Sequence, residues 1–297
     1  MTPPPPRPGD RVVVRRLLPS GQASDVIGTL VSDGEPLVVE RGGDRITVSR
    51  SDIVAYKTVP PKPVRASEIR SLDLARARSW WSVEREWIDG WLCRAAPGIA
   101  GNRATCAAPL HPDASLEHLD GVRAWYAARG LPVHLTLSDR LLRGTRELSP
   151  VTTPTDVLVA PSGGPEPEGT VELADVPSAA WLALTGTNAA LVTSVDGRAR
   201  FASVPGPDGA PIAAGRLALT ADAAGTVWGR LGSMAVAPEH RRRGLASRLV
   251  RALRAEAGRA GADKVFLEVT HANAGAQALY RGLGFAPHHS YRYWTAP

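Results

Sequence analysis

The chain has 297 residues, of which 43% are hydrophobic and 22% are charged, and its formal net charge is +6. This length predicts two or three domains, and the composition is that of a globular protein and excludes an intrinsically disordered chain. No apolar run approaches the roughly 18 residues of a membrane-spanning helix, and the N-terminus lacks the layout of a signal peptide. We therefore expect a cytoplasmic protein without a membrane partner.

The positive charge comes almost entirely from arginine and is scattered, except where Arg241, Arg242 and Arg243 follow one another. Scattered charge does not favour nucleic-acid binding, whereas a local cluster favours an anion. Cys93 and Cys106 have no second Cys or His pair at metal-ligand spacing, so we predict no metal site and reduced thiols.

Proline-rich stretches divide the chain, because they form neither helix nor central strand. The predicted parts are a disordered tail over 1–8, a small barrel over 9–58, a linker over 59–65, a first module over 66–160, a linker over 161–169 and a second module over 170–297.

The barrel is predicted from β-branched runs separated by turn residues such as Asp33-Gly34 and Gly42-Gly43. The expected strands cover 10–17, 26–31, 37–40, 45–48 and 53–56. Five short strands in this length resemble a small barrel of the Src-homology type. We expect an accessory role in packing or self-association, with a homodimer as one form of it.

The first module opens with a predicted helix from Ala66, and Trp80, Trp87 and Trp91 are spaced as one helical face, which is typical of a core. Further predicted elements are strands at 90–94 and 103–107, a helix at 115–129 and a strand at 133–137.

The second module alternates strands and helices, which predicts a mixed α/β sheet. Helices are predicted at 177–184, 241–260 and 274–283, and strands at 189–195, 199–204, 213–219, 229–236, 264–270 and 290–294.

A weak internal repeat relates the two modules. A helix, Arg129-Gly130-Leu131 and a strand in the first module correspond to a helix, Ala260-Gly261-Ala262 and a strand in the second. The first module has Pro-Asp-Ala-Ser-Leu-Glu where the second has its arginine-glycine loop, and Leu142 where the second has Tyr280. We therefore expect the first module to be a degenerate copy that supplies shape and no chemistry.

Residues 234–246 read Met-Ala-Val-Ala-Pro-Glu-His-Arg-Arg-Arg-Gly-Leu-Ala. This pattern predicts a strand that ends at Val236, a basic turn and a helix that begins near Arg243. Gly244 and Ala246 leave the backbone uncovered where helical N–H groups lack internal partners. Such amides favour an anion, most naturally a pyrophosphate; an ordinary arginine-rich helix start is the alternative.

A second motif follows, in which Asn273 precedes Ala276, Leu279-Tyr280 and Gly284-Phe285. Together with Arg241-x-x-Gly244-x-Ala246, it resembles the signature of the GNAT superfamily of N-acetyltransferases. The resemblance implies an α/β (α+β) fold: a GNAT mixed sheet with flanking helices, preceded here by the degenerate GNAT-like module and the small N-terminal β-barrel. It also implies acetyl-CoA as co-substrate and direct transfer of the acetyl group, in a ternary complex, to a primary amine of a small molecule, a protein N-terminus or a lysine.

The resemblance also implies roles for single residues. Two strands would splay apart, and the backbone of the first would hold the pantetheine arm of the cofactor. The implied cofactor residues are Met234, Ala235 and Val236 for that arm, Arg241, Arg242, Arg243, Gly244, Leu245 and Ala246 for the pyrophosphate, and Asn273, which caps the next helix.

Tyr280 is the implied general acid, which would protonate the departing thiolate, although a core aromatic residue is the structural alternative. An amine must lose a proton before it attacks, and the resemblance implies Glu268 as the base, with His271 as a rival. A non-catalytic acyl-CoA sensor is the alternative function, and a tyrosine beside the sulfur argues against it.

Overall fold

The computed structural model describes residues 5–60, 63–80, 82–96, 98, 101–145 and 148–295. Positions 1–4 of the predicted tail, and 61 and 62 of the first predicted linker, lie outside the described residues. The chain forms two compact units, Met1–Pro63 and Val64–Pro297, hereafter the N-terminal and C-terminal units. No helix in the described ranges combines the length and apolar character that crossing a bilayer requires.

The N-terminal unit is an antiparallel sheet of five strands with the order β4-β3-β2-β1-β5. These strands are β1 (Arg11–Leu17), β2 (Ala23–Ser32), β3 (Leu37–Arg41), β4 (Asp44–Val48) and β5 (Ile53–Thr58). All five predicted strands are present. Alternate side chains along them, including Val12, Val14, Leu30 and Val39, form a small buried core.

The helices of the C-terminal unit are α1 (Ala66–Arg78), α2 (Leu119–Ala127), α3 (Ala179–Thr185), α4 (Ala189–Thr193), α5 (Leu245–Arg259) and α6 (Ala274–Gly282). Short 3₁₀ turns at Leu116–His118 and Pro238–His240 precede α2 and α5.

The strands of the C-terminal unit form one mixed sheet of twelve. They are β6 (Glu84–Ile88), β7 (Trp91–Ala95), β8 (Cys106–Pro109), β9 (His134–Ser138), β10 (Ser149–Pro150), β11 (Thr155–Pro161), β12 (Glu172–Ala174), β13 (Arg198–Pro205), β14 (Pro211–Ala221), β15 (Val227–Val236), β16 (Lys264–Thr270) and β17 (Ala286–Thr295). Their order is β12-β13-β14-β15-β16-β11-β17-β9-β8-β7-β6, and β10 pairs with β17 outside that path.

The two modules exchange strands in the middle of this sheet. Strand β11, at the end of the predicted first module, lies between β16 and β17 and is antiparallel to both. Strand β17, the last of the chain, in turn pairs with β9 of the first module. No strand was predicted where β11 lies, and this strand crosses the predicted boundary at residue 160. The modules therefore share one sheet and lie in one compact unit.

The prediction that these tryptophans lie on one helical face is wrong. Helix α1 ends at Arg78, before the first of these tryptophans; Trp87 is 52% exposed on β6, whereas Trp91 is fully buried on β7. The two strands form a hairpin through Asp89 and Gly90, which have φ angles of 45° and 85°. Asp-Gly is a favoured pair for such a two-residue turn. Trp81, the fourth tryptophan of the group, lies outside the described residues.

Two other predictions need correction. The predicted strand over 189–195 is helix α4, because the side chain of Asn188 accepts a hydrogen bond from the Leu191 amide at 3.3 Å and caps a helical turn. Helix α5 begins at Leu245 and not at Arg241, because Arg242 and Gly244 have φ angles of 63° and 78°, which no right-handed helix accommodates.

Candidate active site

A wedge opens between the parallel strands β15 and β16. Their pairing runs from Trp228 opposite Lys264 to Leu231 opposite Leu267 and then stops, although both strands continue. A bulge lies in β15 just beyond that point, where Ser233 has a φ of 48° and the register with β14 shifts. The bulge redirects the strand, so residues 232–236 separate from residues 268–270.

Backbone groups of the predicted cofactor strand border the wedge. The amide of Ala237 donates to the carbonyl of Ile212 on β14 at 2.9 Å. Because successive residues of a strand direct their backbone groups to opposite edges, the N–H and C=O groups of Val236 and Met234 face the wedge, and those of Ala235 face β14. The Val236 carbonyl already accepts a hydrogen bond from Arg241 Nε at 3.3 Å.

Helix α5 starts with uncovered amides. Gly244 is its N-cap, with a φ of 78° and no side-chain hydrogen bond to the first turn. The amide of Arg248 is bonded to the Gly244 carbonyl at 3.0 Å, and the amides before it have no partner within the helix. These N–H groups, the helix dipole and the exposed Arg241, Arg242 and Arg243 make this end strongly attractive to an anion.

A cavity of about 560 Å³, hereafter the α5 cavity, lies at this helix end. Its walls come from the end of β15, the basic turn, the first turn of α5 and one face of α6. The lining residues are Val236, His240, Arg241, Arg242, Gly244, Leu245, Ala246, Ser247, Gly275, Ala278 and Leu279. Most of the predicted cofactor residues are therefore brought together.

Four of the predicted cofactor residues do not line this cavity: Met234, Ala235, Arg243 and Asn273. The Met234 side chain packs over Gly215, where a Cβ would lie 2.6 Å from the Met234 sulfur. The side chain of Asn273 caps α6 as predicted, because its oxygen accepts from the Ala276 amide at 3.0 Å.

Sequence reasoning missed the α6 wall of the cavity. Ala276 of the second motif packs against the core, and Gly275, Ala278 and Leu279 line the cavity. Their spacing of three and four residues along a helix, with two small side chains, was the available signal.

Tyr280 follows this wall on α6. Its side chain is buried in the core of the second module, with its ring 5.9 Å from that of Phe285. Burial raises the pKa of Tyr280. Within the described residues, its hydroxyl has no hydrogen-bond partner. The phenol therefore stays protonated at neutral pH, and Tyr280 is not among the described residues that line the α5 cavity.

Glu268 lies on the other face of β16. Val265, Leu267 and Val269 pack under α5 and α6, whereas Phe266 packs with Leu72 of α1, so the side chains alternate between the two faces. Glu268 therefore points to the α1 side.

The environment of Glu268 holds it as a carboxylate. Its side chain is 7% exposed, and it accepts hydrogen bonds from Arg230 Nε and from the Tyr291 hydroxyl, each at 2.9 Å. Arg76 lies 3.5 Å away. Burial alone would raise the pKa of Glu268, but Arg230, Arg76 and Arg103 lower it to about 2. Such a carboxylate is a weak direct base.

A second pocket of about 420 Å³, hereafter the Glu268 pocket, opens on this face. Distant segments form it: β11, β16, β17, α4 and loops of the first module. It is lined by Gly101, Asn102, Arg103, Ala104, Thr152, Thr153, Thr155, Leu191, Glu268, Thr270, Tyr291 and Tyr293. Strand exchange creates this pocket, so no local sequence pattern could have predicted it.

His271, the rival base, lies in a different place. Its Nε2 is 2.7 Å from Asp156 Oδ1, and both residues line a groove on the α6 side together with Gln277 and Arg281. His271 does not line the Glu268 pocket. The two candidate bases therefore line separate cavities.

Comparison with known proteins identifies the family. Residues 66–294 match the model described as probable histone acetyltransferase Rv0428c C-terminal, and residues 6–57 match the Rv0428c N-terminal Sm-like domain. A probable histone acetyltransferase from Mycobacterium tuberculosis, Rv0428c, is 35% identical over 296 residues, which cover 97% of this chain and 95% of that relative. The chain belongs to this acetyltransferase family. It is an acyltransferase, and the Sm-like description takes the place of the Src-homology resemblance.

Solved structures show the same fold. A GCN5-related N-acetyltransferase from Kribbella flavida matches with a TM-score of 0.60 and 20% identity, over 78% of this chain and 95% of that one. A putative GNAT acetyltransferase from Novosphingobium aromaticivorans matches with a TM-score of 0.53 and 20% identity, over 77% of this chain and 96% of that one. The predicted GNAT fold is confirmed, and membership of an enzyme family does not support the sensor alternative.

Proposed function

We propose that the chain transfers an acetyl group from acetyl-CoA to a primary amine that attacks the thioester directly. The observation that carries this proposal is the wedge between β15 and β16, which opens beside the uncapped start of α5. Such a wedge accepts an extended pantetheine arm along a strand edge. Cavities on both faces of the sheet leave room for cofactor and acceptor in one ternary complex.

The residues present fit acetyl-CoA. The wedge-facing N–H and C=O groups of Met234 and Val236 can bind the amide groups of a pantetheine arm. The free amides of Gly244, Leu245 and Ala246 can bind a pyrophosphate, and Arg241 and Arg242 at the same cavity add charge-assisted donors.

The chemistry requires one bond to form and one to break. The amine nitrogen attacks the thioester carbonyl carbon, and the Val236 N–H stabilises the resulting oxyanion. When the carbon–sulfur bond breaks, Tyr280 donates its phenolic proton to the thiolate. The products are an N-acetylated amine and the free thiol of CoA.

The attacking amine must also lose a proton. Among the described residues that line its pocket, Glu268 carries the one carboxylate. Because its pKa is about 2, we assign it the orientation of a water molecule that carries the amine proton to solvent, and not uptake of that proton. Lysine in a protein is one acceptor class, suggested by the name of the mycobacterial relative.

The test is release of CoA thiol with a panel of amines. We expect Tyr280→Phe to slow turnover by about 100-fold while acetyl-CoA binding, measured by calorimetry, is unchanged. Tyr126→Phe is the matched control, because Tyr126 is buried in the first module and its hydroxyl donates to the Arg94 carbonyl at 2.8 Å. This control should keep full activity. Equal turnover by Tyr280→Phe and wild type would exclude the acid role, and cofactor binding without turnover of any amine would favour a sensor.

A further inference from the structure

An arginine with no counter-charge among the described residues lies beneath the acceptor face of the sheet. Arg216 of β14 has no exposed surface, and its Nε, Nη1 and Nη2 atoms have no hydrogen-bond partner among the described residues. Nη1 of Arg230 and Nε1 of Trp80 are likewise buried and unpaired. All of these atoms are donors, and a buried donor without a partner is unfavourable.

These groups surround one indole ring. The guanidinium carbons of Arg216, Arg230 and Arg103 lie 4.5, 4.7 and 6.0 Å from the ring centroid of Trp80. We call these four residues the Trp80 cluster. Stacking on an aromatic ring partly stabilises a guanidinium, but it leaves the N–H groups in the guanidinium plane unsatisfied.

The nearby carboxylates are already paired. Asp73 forms an ion pair with Arg76, with an N···O distance of 2.9 Å. Glu268 forms ion pairs with Arg230 at 2.9 Å and with Arg76 at 3.5 Å. Neither carboxylate is hydrogen-bonded to Arg216. Burial and the charge of Arg230 lower the pKa of Arg216 to about 9. The described part of the cluster therefore has an excess of positive charge.

Trp80 and Arg103 connect the cluster to the Glu268 pocket. A small cavity of about 10 Å³, lined by Trp80, Arg103, Glu268 and Tyr293 among others, has room for about one water molecule. Arg103, Glu268 and Tyr293 also line the open pocket. An acceptor in that pocket would therefore contact Arg103. Arg216 and Arg230 line neither cavity and would add their positive charge without direct contact, across the Trp80 ring that all three guanidinium groups approach.

We propose that the Trp80 cluster recognises an oxyanion, a carboxylate or phosphate, on the amine acceptor. This inference rests on the proposed acetyl transfer and narrows its substrate class to small amines that carry a negative charge. Guanidinium groups suit planar carboxylates and phosphates, and a pocket of about 420 Å³ suits a small molecule. A polycationic peptide would bring further positive charge to a site that already has an excess.

The proposal gives Arg216 a recognisable signature. Replacing a buried, unpaired charge by an apolar side chain of similar volume is often neutral or stabilising. Arg216→Met should therefore fold, with a melting temperature at least equal to that of wild type, and should lose recognition of the oxyanion. A substitution that preserves stability but weakens binding is typical of a residue in a ligand site.

The experiment measures kcat/KM by thiol release for matched amines. Amino acids, which carry a carboxylate, are compared with their amides, which do not. Phosphoethanolamine, spermidine and a lysine-containing histone-tail peptide are the other amines tested. We expect at least a 10-fold preference for the carboxylate or phosphate amines in wild type and its loss in Arg216→Met. Arg251→Met, on the exposed side of α5, is the control and should keep the preference. Equal rates, or a preference for the amides, spermidine or the peptide, would overturn the proposal.

A binding measurement separates this inference from the proposed function. N-acetylated amino acids and their amides are added to wild type and to Arg216→Met, and the melting temperatures are compared. A melting temperature that rises with the carboxylates in wild type, but not in Arg216→Met, supports oxyanion recognition by the Trp80 cluster even when no amine is turned over. The missing turnover would then count against acetyl transfer alone. A melting temperature that rises with none of the oxyanions overturns the proposal of oxyanion recognition, whatever the rate of turnover.

Discussion

The two modules of the C-terminal unit contain the same strand–helix–strand motif with opposite charges at the helix start. In the first module, β8 and β9 are parallel, Ser115 caps the turn before α2 by accepting from the Glu117 amide at 3.2 Å, and Asp120 lies in the first turn of the helix. In the second module, α5 starts without a side-chain cap after Arg241, Arg242 and Arg243. Acidic residues and a side-chain cap occupy the first helix start, whereas the second is open to an anion.

The space beside the two helices differs in the same sense. In the first module, the Trp91 indole donates to the Ser115 carbonyl at 3.0 Å and packs with Trp125 and Tyr126. In the second module, the corresponding region is the α5 cavity, bordered by glycine and alanine. The comparison teaches that the fold supplies a place for a ligand and that the loop and its neighbours decide whether a ligand can bind.

The largest effect is expected from removing one buried charge. Glu268→Gln should lower the free energy of unfolding by about 3 kcal/mol, because Arg230 loses its buried counter-charge and Arg76 keeps only Asp73. The matched change in the first module is Glu84→Gln, which breaks a partly exposed pair with Arg129 at 2.7 Å and should cost at most about 1 kcal/mol. Denaturant titrations measure both. Equal losses of unfolding free energy would contradict the expectation that the buried Glu268 ion pair contributes more than the partly exposed Glu84 pair.

This prediction also has a pH dependence. The folded state lowers the pKa of Glu268 to about 2, below its usual value in an unfolded chain of about 4.3. The stabilisation is therefore fully present above about pH 4.3 and is lost as the pH falls through about 2. The deficit of Glu268→Gln relative to wild type should shrink over that window, and a constant deficit would show that the charge is not its cause.

The shared strands predict that the modules unfold together. Leu158→Ala, at a fully buried position of β11, should cost about 3 kcal/mol. Because β11 and β17 join the two modules, tryptophan fluorescence and circular dichroism should still report one transition for the C-terminal unit. Val176→Ala, at a position that is 71% exposed, is the control and should change stability by less than about 0.5 kcal/mol. Two separate transitions would show that the modules are independent.

A change in cofactor affinity, and not in stability, tests the predicted cofactor loop. Gly244 and Gly130 both have positive φ angles, of 78° and 63°, and open space where a side chain would project. Aspartate tolerates this conformation, so both substitutions to Asp should impose similar strain. A negative charge about 5 Å from a phosphate costs about 3 kcal/mol, and Gly244→Asp should therefore weaken acetyl-CoA binding by about 100-fold. Gly130→Asp should leave the affinity unchanged, and calorimetry that found the same loss for both would place the cofactor elsewhere.

Local patterns predicted much of the second module. The strands β13 to β16 and the helices α5 and α6 follow from periodicity and turn residues, and the motif from Arg241 to Ala246 predicted the basic turn and the uncovered amides at the start of α5. Failures occurred where local signals competed. An Asp89-Gly90 turn outweighed the helical spacing of tryptophans, and the Asn188 cap outweighed a β-branched composition.

The sequence by itself determined which helix start combines uncovered backbone amides with positive charge, because both features depend on neighbouring residues. Only the tertiary structure decided that β11 lies between β16 and β17, that Glu268 is held by Arg230 and that Arg216 lies beside Trp80. These contacts join residues far apart along the chain. Burial and ion pairing, which set the chemistry of such groups, depend on the whole fold and not on the local sequence.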